Sequence, residues 1–367
     1  MRCLRSGWIT TGPITARFEK DFAAYVGATH ALAVSSATAG LHLAMVALGL
    51  ERGDEVITSP MTWPATVNAI VFGGGTPVFA DVEPETLNLD TASVARKLGP
   101  KTRAILPVHF AGQPCDVDAI LDLAKAGGIA VVEDAAHAIG TELRGRRIGG
   151  LETEAAVFSF HPIKNITTAE GGMVTTGNPD IARRLRLLRF HGVERDAWKA
   201  YGRPGLARYD VLIPGFKYNL TDLQAALGVH QLSKLGGFLS RRALLAQRYD
   251  EAFADVPEIR PLGRVAYPHR HAHHLYAVRL ATERLTVDRD GFMAELQTAG
   301  VNVGLHFTAV HELTYYRERL GDFSADLAVA TDASRRIVSL PLYPSLSDED
   351  QGYVIDVVRR TARARRR

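Results

Sequence analysis

Only eight of the chain's 43 basic residues are lysines, and one of them follows an apolar run. In Val157-Phe158-Ser159-Phe160-His161-Pro162-Ile163-Lys164-Asn165 the apolar segment ends, and Gly171-Gly172 closes the loop that carries Lys164. A lysine whose surroundings favour the free amine can form a Schiff base with a carbonyl compound. Lys20, Lys97, Lys101, Lys125, Lys199 and Lys234 sit in polar helix, turn or loop contexts, where a solvated ammonium is the ordinary state. Lys217, beside the Pro214-Gly215 turn, is the other candidate, and the pattern favours Lys164.

Three further places could do chemistry. Ile129-Ala130-Val131-Val132 runs into Glu133-Asp134-Ala135-Ala136-His137. Asp134 at such a strand end either caps the next helix or keeps a pyridine nitrogen protonated, its task in pyridoxal-phosphate (PLP) enzymes. His137 could reach the same ligand, while Glu133 points to the other side of the strand. In Ser35-Ser36-Ala37-Thr38 a strand passes into a helix. Small residues there let backbone N–H groups approach an anion, and Thr38 can add a hydroxyl; an ordinary helix cap reads the same way. Trp63 follows another strand and either stacks on a flat ring or packs in the core. The group His269, His271, His273 and His274 lacks the cysteine or carboxylate companions of a zinc site, and no metal is expected.

These residues need an α/β frame. The spacing of Ile14, Phe18, Phe22 and Tyr25 predicts a helix over 14–26, and a helix over 38–48 follows the strand 30–35. Apolar runs predict strands at 54–59, 76–82, 102–110, 129–135, 155–160 and 171–177, with a helix at 117–125. Runs this apolar suit strands covered on both faces, and the alternation implies a mostly parallel sheet. Later the pattern becomes α+β, with helices at 239–253, 289–299, 324–336 and 347–365 and strands at 274–280 and 301–307. Residues 1–235 are expected to form a large domain and 236–367 a smaller one.

Composition excludes other classes. The net charge of +3 argues against a dedicated nucleic-acid surface. The basic tail reads as a solvated terminus. No apolar run approaches the roughly 20 residues of a membrane helix, and no apolar signal core follows the N-terminus, so a cytoplasmic location is expected. Cys3 and Cys115 fit no metal spacing or disulfide framework. A nicotinamide-dependent oxidoreductase would want Gly-x-Gly-x-x-Gly after an early strand, and Ser35–Gly40 has none.

The stretches RSGWITTGP, VSSATAGLHLAMVALGL, GDEVITSPMTWPATVNAI, VVEDAAHAIG, FSFHPIKNITTAEGGMV, GFKYNLTDLQAAL and VGLHF together resemble the DegT/DnrJ/EryC1/StrS family of sugar aminotransferases, in order and over nearly the whole chain. The resemblance implies a fold-type-I PLP transferase. It implies that Lys164 carries the cofactor, that Asp134 pairs with the pyridine nitrogen and that His137 lies beside the ring hydroxyl. It also implies that Trp63 stacks on the ring and that Ala37, Thr38 and Ser159 contact the phosphate. GFKYN would come from a neighbouring subunit of a homodimer, bringing Lys217 toward the substrate and Asn219 toward the cofactor; relatives commonly have Asn and Arg at those positions. His306 would lie near the sugar. SPMTWPAT, FHPIKNIT, FKYNL and GLHF look most like enzymes that aminate a UDP-linked 4-keto-pentose for lipid A, with relatives in antibiotic biosynthesis acting on dTDP-sugars. The expected reaction takes nitrogen from L-glutamate to a nucleotide-linked 4-keto-sugar. A keto-6-deoxyhexose substrate and a non-catalytic sugar-nucleotide sensor are the alternatives. Sugar dehydratases of similar sequence replace the lysine with histidine, whereas Lys164 is present here.

Overall fold

Short runs dominated by Val, Ile, Leu and Ala become strands whose residues are mostly buried, as expected when helices cover both faces of a sheet. The computed structural model describes residues 2–194 and 210–367; Lys199 lies outside them. In chain order the strands are β1 (His30–Val34), β2 (Glu55–Thr58), β3 (Thr76–Phe79), β4 (Thr102–Leu106) and β5 (Ala130–Asp134). A two-residue hairpin follows, β6 (Glu142–Leu143) and β7 (Arg146–Arg147), then β8 (Ala155–Ser159) and β9 (Gly172–Thr176). The main sheet has the order β1-β9-β8-β5-β4-β2-β3.

All its pairings are parallel except those of β9, which runs antiparallel to both β1 and β8. A parallel connection needs a crossover, usually a helix, whereas the loop from β8 to β9 doubles straight back. The register pairs Ser159 with Gly172, and Gly172 with Val34. The carboxyl ends of β1 and β8 therefore meet at the mouth of the loop that carries Lys164. On the other side of the sheet, Phe18 and Phe22 of the helix Pro13–Val26 pack edge-on or tilted against Phe158 and Phe160, at ring distances of 5.1–5.6 Å.

A second sheet, β10-β12-β13, is antiparallel and is built from β10 (Ile259–Pro261), β12 (Tyr276–Leu280) and β13 (Ile337–Leu340); β11 (His269–Arg270) pairs with β6. The helices Arg289–Thr298 and Asp348–Ala364 cover this sheet.

Several elements differ from the sequence reading. The strand expected over 102–110 stops at Leu106, because Pro107 has no N–H and a short turn follows at Phe110–Gly112. The segment 301–307 is not a strand: Val301 and Val303 are buried in the second core, but only Gly304 pairs, with Ser339. The alternation there records burial without a ladder. The helix expected from residue 239 begins at Asp222 and runs to Phe253. A capping box between Thr221 and Gln224 starts it. Within it Gly228 allows a close approach, since an added Cβ would lie 2.5 Å from the Phe18 ring. This helix, about 48 Å long at 1.5 Å per residue, places Ala225, Leu235 and Leu239 in the first core and Leu245, Tyr249 and Phe253 in the second. Residues 235 and 236 both lie within it.

Candidate active site

A cavity of about 370 Å³ opens at the carboxyl ends of β1, β5 and β8, where open α/β sheets bind ligands. Asp134, the last residue of β5, is 5% exposed. Its Oδ2 accepts a 2.7 Å hydrogen bond from Thr66 Oγ1, and Oδ1 accepts one from Ala136 N at 3.0 Å. Thr62, just ahead of the helix Pro64–Phe72 that carries Thr66, extends the chain of hydroxyls at 2.7 Å. The backbone is held as firmly: Asp134 N donates to the Pro107 carbonyl, and its own carbonyl accepts from His109 N.

Glu133 points the other way, as expected, and is fully buried. It accepts from Thr153 Oγ1 at 2.7 Å and lies 2.9 Å from His109 Nε2. His109 Nδ1 accepts the Cys115 N–H, so Nε2 carries the hydrogen that reaches Glu133. Both faces of the β5 tip are thus fixed.

Lys164 stands in a loop anchored on both sides. Phe160 N donates to the Gly171 carbonyl and Thr168 N to the Phe160 carbonyl. The next residue, Asn165, is buried and donates to the Ala272 carbonyl at 2.9 Å. Burial lowers the Lys164 pKa to about 8, against the opposing pull of Asp134. His137 also lines the cavity. Burial, with the nearby Lys164 charge, holds His137 far below its usual pKa, and among the described residues its buried Nδ1 has no partner. Its ring lies 4.3 Å from that of His274 and stacks at 5.9 Å on Phe307.

One corner of the cavity is built where the carboxyl ends of β1 and β8 meet the start of β9. Ser36 caps the helix Ala37–Leu48 by accepting from Ala39 N at 3.0 Å, so Ala37 and Thr38 form its first turn at the cavity wall. At Gly172 a Cβ would lie 2.7 Å from Ala37 N and 2.8 Å from the Phe158 carbonyl; only glycine lets the strand and the helix start approach this closely. Ser159 lines the same corner. Trp63 is 65% exposed, which rules out the core reading, and its ring faces Phe307 at 6.2 Å across the cavity rim. His306 also lines the cavity; its Nδ1 lies 3.0 Å from Ser339 Oγ, and burial lowers its pKa to about 4.

Two expected residues stand apart. Lys217 and Asn219 do not line the cavity of their own chain. Lys217 hydrogen-bonds Asn219 Oδ1 and sits 4.7 Å above the Phe190 ring, while Asn219 donates to Thr11 Oγ1 at 2.6 Å. Of the four grouped histidines, His271 and His273 stack on each other at 4.1 Å and His274 lines the cavity. Sequence reasoning missed Thr66, Ser36 and Phe307 as cavity residues. Ser36 carried a cap signal; Thr66 carried none that pointed to Asp134.

The set fits a phosphorylated pyridine aldehyde. A buried carboxylate, an amine held partly free, an unpartnered ring nitrogen, an exposed indole and a glycine-lined helix start surround one cavity.

Comparison with known proteins agrees. Residues 1–359 match the model of the DegT/DnrJ/EryC1/StrS aminotransferase family. Among solved structures, Spr1654 of Streptococcus pneumoniae, in its PMP form, superposes with a TM-score of 0.92 at 33% identity, covering 99% of this chain and 95% of that one. DesV of S. venezuelae matches at 0.89 and 35% identity, covering 98% and 92%. PseC of Helicobacter pylori, an aminotransferase of pseudoaminic acid biosynthesis, matches at 0.90 and 29% identity, covering 99% and 95%.

Proposed function

The chain belongs to the DegT/DnrJ/EryC1/StrS aminotransferase family and is a PLP-dependent sugar aminotransferase; from that premise we propose that it aminates a nucleotide-linked 4-keto-sugar, a UDP- or dTDP-4-keto-pentose, with L-glutamate as donor. The observation that carries the chemistry is the presence of Lys164 and Asp134 in one cavity. The pentose reading rests on the SPMTWPAT, FHPIKNIT, FKYNL and GLHF stretches and on His306 at the cavity wall.

PLP supplies an electron sink through its protonated ring. Lys164 would hold it, with Asp134 at the ring nitrogen, His137 beside the ring hydroxyl, Trp63 against the ring face and Ala37, Thr38 and Ser159 around the phosphate. Lys164 Nζ takes the α-carbon proton from the donor and, in the opposite half-reaction, delivers a proton to the sugar carbon that receives nitrogen. In the cofactor-free chain burial lowers its pKa to about 8, the direction a base at this position needs. The Thr62–Thr66 hydroxyl chain and the backbone contacts with Pro107 and His109 keep the Asp134 carboxylate aimed into the cavity. His306 would face the sugar. Lys217 and Asn219 would complete the neighbouring subunit's site in a homodimer. Residues 1–235 and 236–367 would act as large and small domains. Two free, buried cysteines suit a reducing cytoplasmic setting.

The test is the visible spectrum of the purified protein, before and after L-glutamate, beside Lys164→Ala. A yellow band that glutamate bleaches, absent in the variant, supports the donor and Lys164. Recovery of the band on adding a UDP- or dTDP-4-keto-pentose, faster than with a keto-6-deoxyhexose, supports the acceptor. The reverse preference overturns it.

A further inference from the structure

A second cavity, of about 690 Å³, lies beside the first and shares Ile163, Lys164, His274 and His306 with it. Its wall includes Asn165, Gln231, Asn302, Ser339, Tyr343 and Arg242 and, among the described residues, no aspartate or glutamate. Gln231, Phe238 and Arg242 come from one face of the long helix, at spacings of seven and four residues. Among the described residues, Lys164 and Arg242 are the only lysine and arginine in this wall.

Arg242 is 3% exposed. One nitrogen, Nη1, donates to three carbonyl oxygens, those of His273 and His274 at 3.1 Å and of Leu342 at 2.9 Å. Its Nε is buried without a partner, and among the described residues no carboxylate lies within ion-pair distance of it. The contrast with its neighbours is direct: Arg241 and Arg248 both reach Asp348, at 2.7 and 2.6 Å. Burial lowers the Arg242 pKa to about 10, so it stays cationic at neutral pH. A guanidinium withdrawn from water is costly to leave without a counter-charge. Carbonyl dipoles on one nitrogen do not supply one. A strut that only tied His273 and Leu342 together would not need to line a cavity beside the reacting amine.

We propose that the second cavity is an oxyanion site for a reactant, with Arg242 as its fixed positive charge. This rests on the donor and acceptor proposed above, which offer two sources of that oxyanion: the carboxylates of the amino acid and the diphosphate of the nucleotide sugar. Both suit a planar, multi-donor cation.

The experiment is calorimetric titration of the PLP-loaded protein with 2-oxoglutarate and, separately, with UDP. It compares wild type, Arg242→Lys, Arg242→Met and Gln231→Glu, with glutamate bleaching followed in parallel. Wild type is expected to bind at least one probe. Arg242→Met should weaken one probe by roughly ten- to a hundredfold, as for loss of a charge-assisted pair, with Arg242→Lys intermediate. Gln231→Glu places a negative charge on the wall without touching the Arg242 bonds, and should weaken the same probe. The affected probe names the source. Unchanged affinity for both probes in Arg242→Met and Gln231→Glu, whatever happens to the melting temperature, makes Arg242 a strut and overturns the site. So does wild type that binds neither. If glutamate fails to bleach wild type, the proposed donor reaction falls, while the UDP and 2-oxoglutarate titrations still decide the cavity.

Discussion

At the scale of single residues, the distinctive feature is an amine held near neutrality. Desolvation disfavours the ammonium form of Lys164 more than Asp134 stabilises it, and the pKa falls to about 8. In cofactor-free protein, acylation of Lys164 should therefore rise to half its maximum near pH 8, well below that of the solvent-exposed lysines. Competitive labelling across a pH series, read by peptide mass spectrometry, measures this. Asp134→Asn removes the opposing pull and should move the midpoint lower still; a midpoint shared with the other lysines would contradict the burial argument. Lys164 and Asp134 were legible in the sequence because each ends or closely follows an apolar strand, where side chains meet ligands. Thr66 was not, because its partner Asp134 is 68 residues away in the chain. Trp63 was legible as an aromatic at a strand end, but only its exposure separates a stacking surface from core.

At the scale of elements, one carboxylate joins two helices. The helix Pro13–Val26 begins after Gly12, which has no side chain to cap it. Asp222, the first residue of the long helix, caps it from across the chain. It accepts from Gly12 N and Thr15 N at 2.8 Å, Ile14 N at 3.1 Å and Thr15 Oγ1 at 2.7 Å. Asp222→Ala leaves four donors without this acceptor, in a place 1% exposed, and should cost about 3 kcal/mol of stability. Asp222→Asn keeps an acceptor oxygen and should cost less. Urea denaturation of the three proteins checks the order; equal midpoints would mean water replaces the carboxylate. Proline at the first helical position was readable as a start signal, but the distant cap was not, since it exists only once both helices are packed. The same limit explains the long helix. Periodicity found its second half, where Leu245, Tyr249 and Phe253 share a core. It missed the first half, where Gly228 serves close packing against Phe18. The parallel strands were legible as apolar runs, whereas the reversal of β9 follows from its pairing with both β1 and β8.

At the scale of the whole molecule, the cavity of one chain does not contain all the residues the reading assigns to it. Lys217 and Asn219 are held on its outside, tied to Thr11 by Asn219. The nearby surface is apolar: Trp8, Ile9, Leu223 and Leu227 are each about half exposed. Exposed apolar residues grouped in this way mark surfaces that a partner covers. In the proposed homodimer, each site takes Lys164 from one chain and Asn219 from the other. Subunit mixing separates that arrangement from a self-contained site. Lys164→Ala should be inactive alone, and Asn219→Ala should be weakened through poorer cofactor binding. A dimer of one variant with the other holds one doubly altered site and one intact site if the sites are shared. Unfolding and refolding an equal mixture should then restore roughly a quarter of wild-type activity at limiting PLP, since half the dimers are mixed and half their sites are whole. If each site belongs to one chain, no intact site can form, and the mixture will show only the average of the two variants.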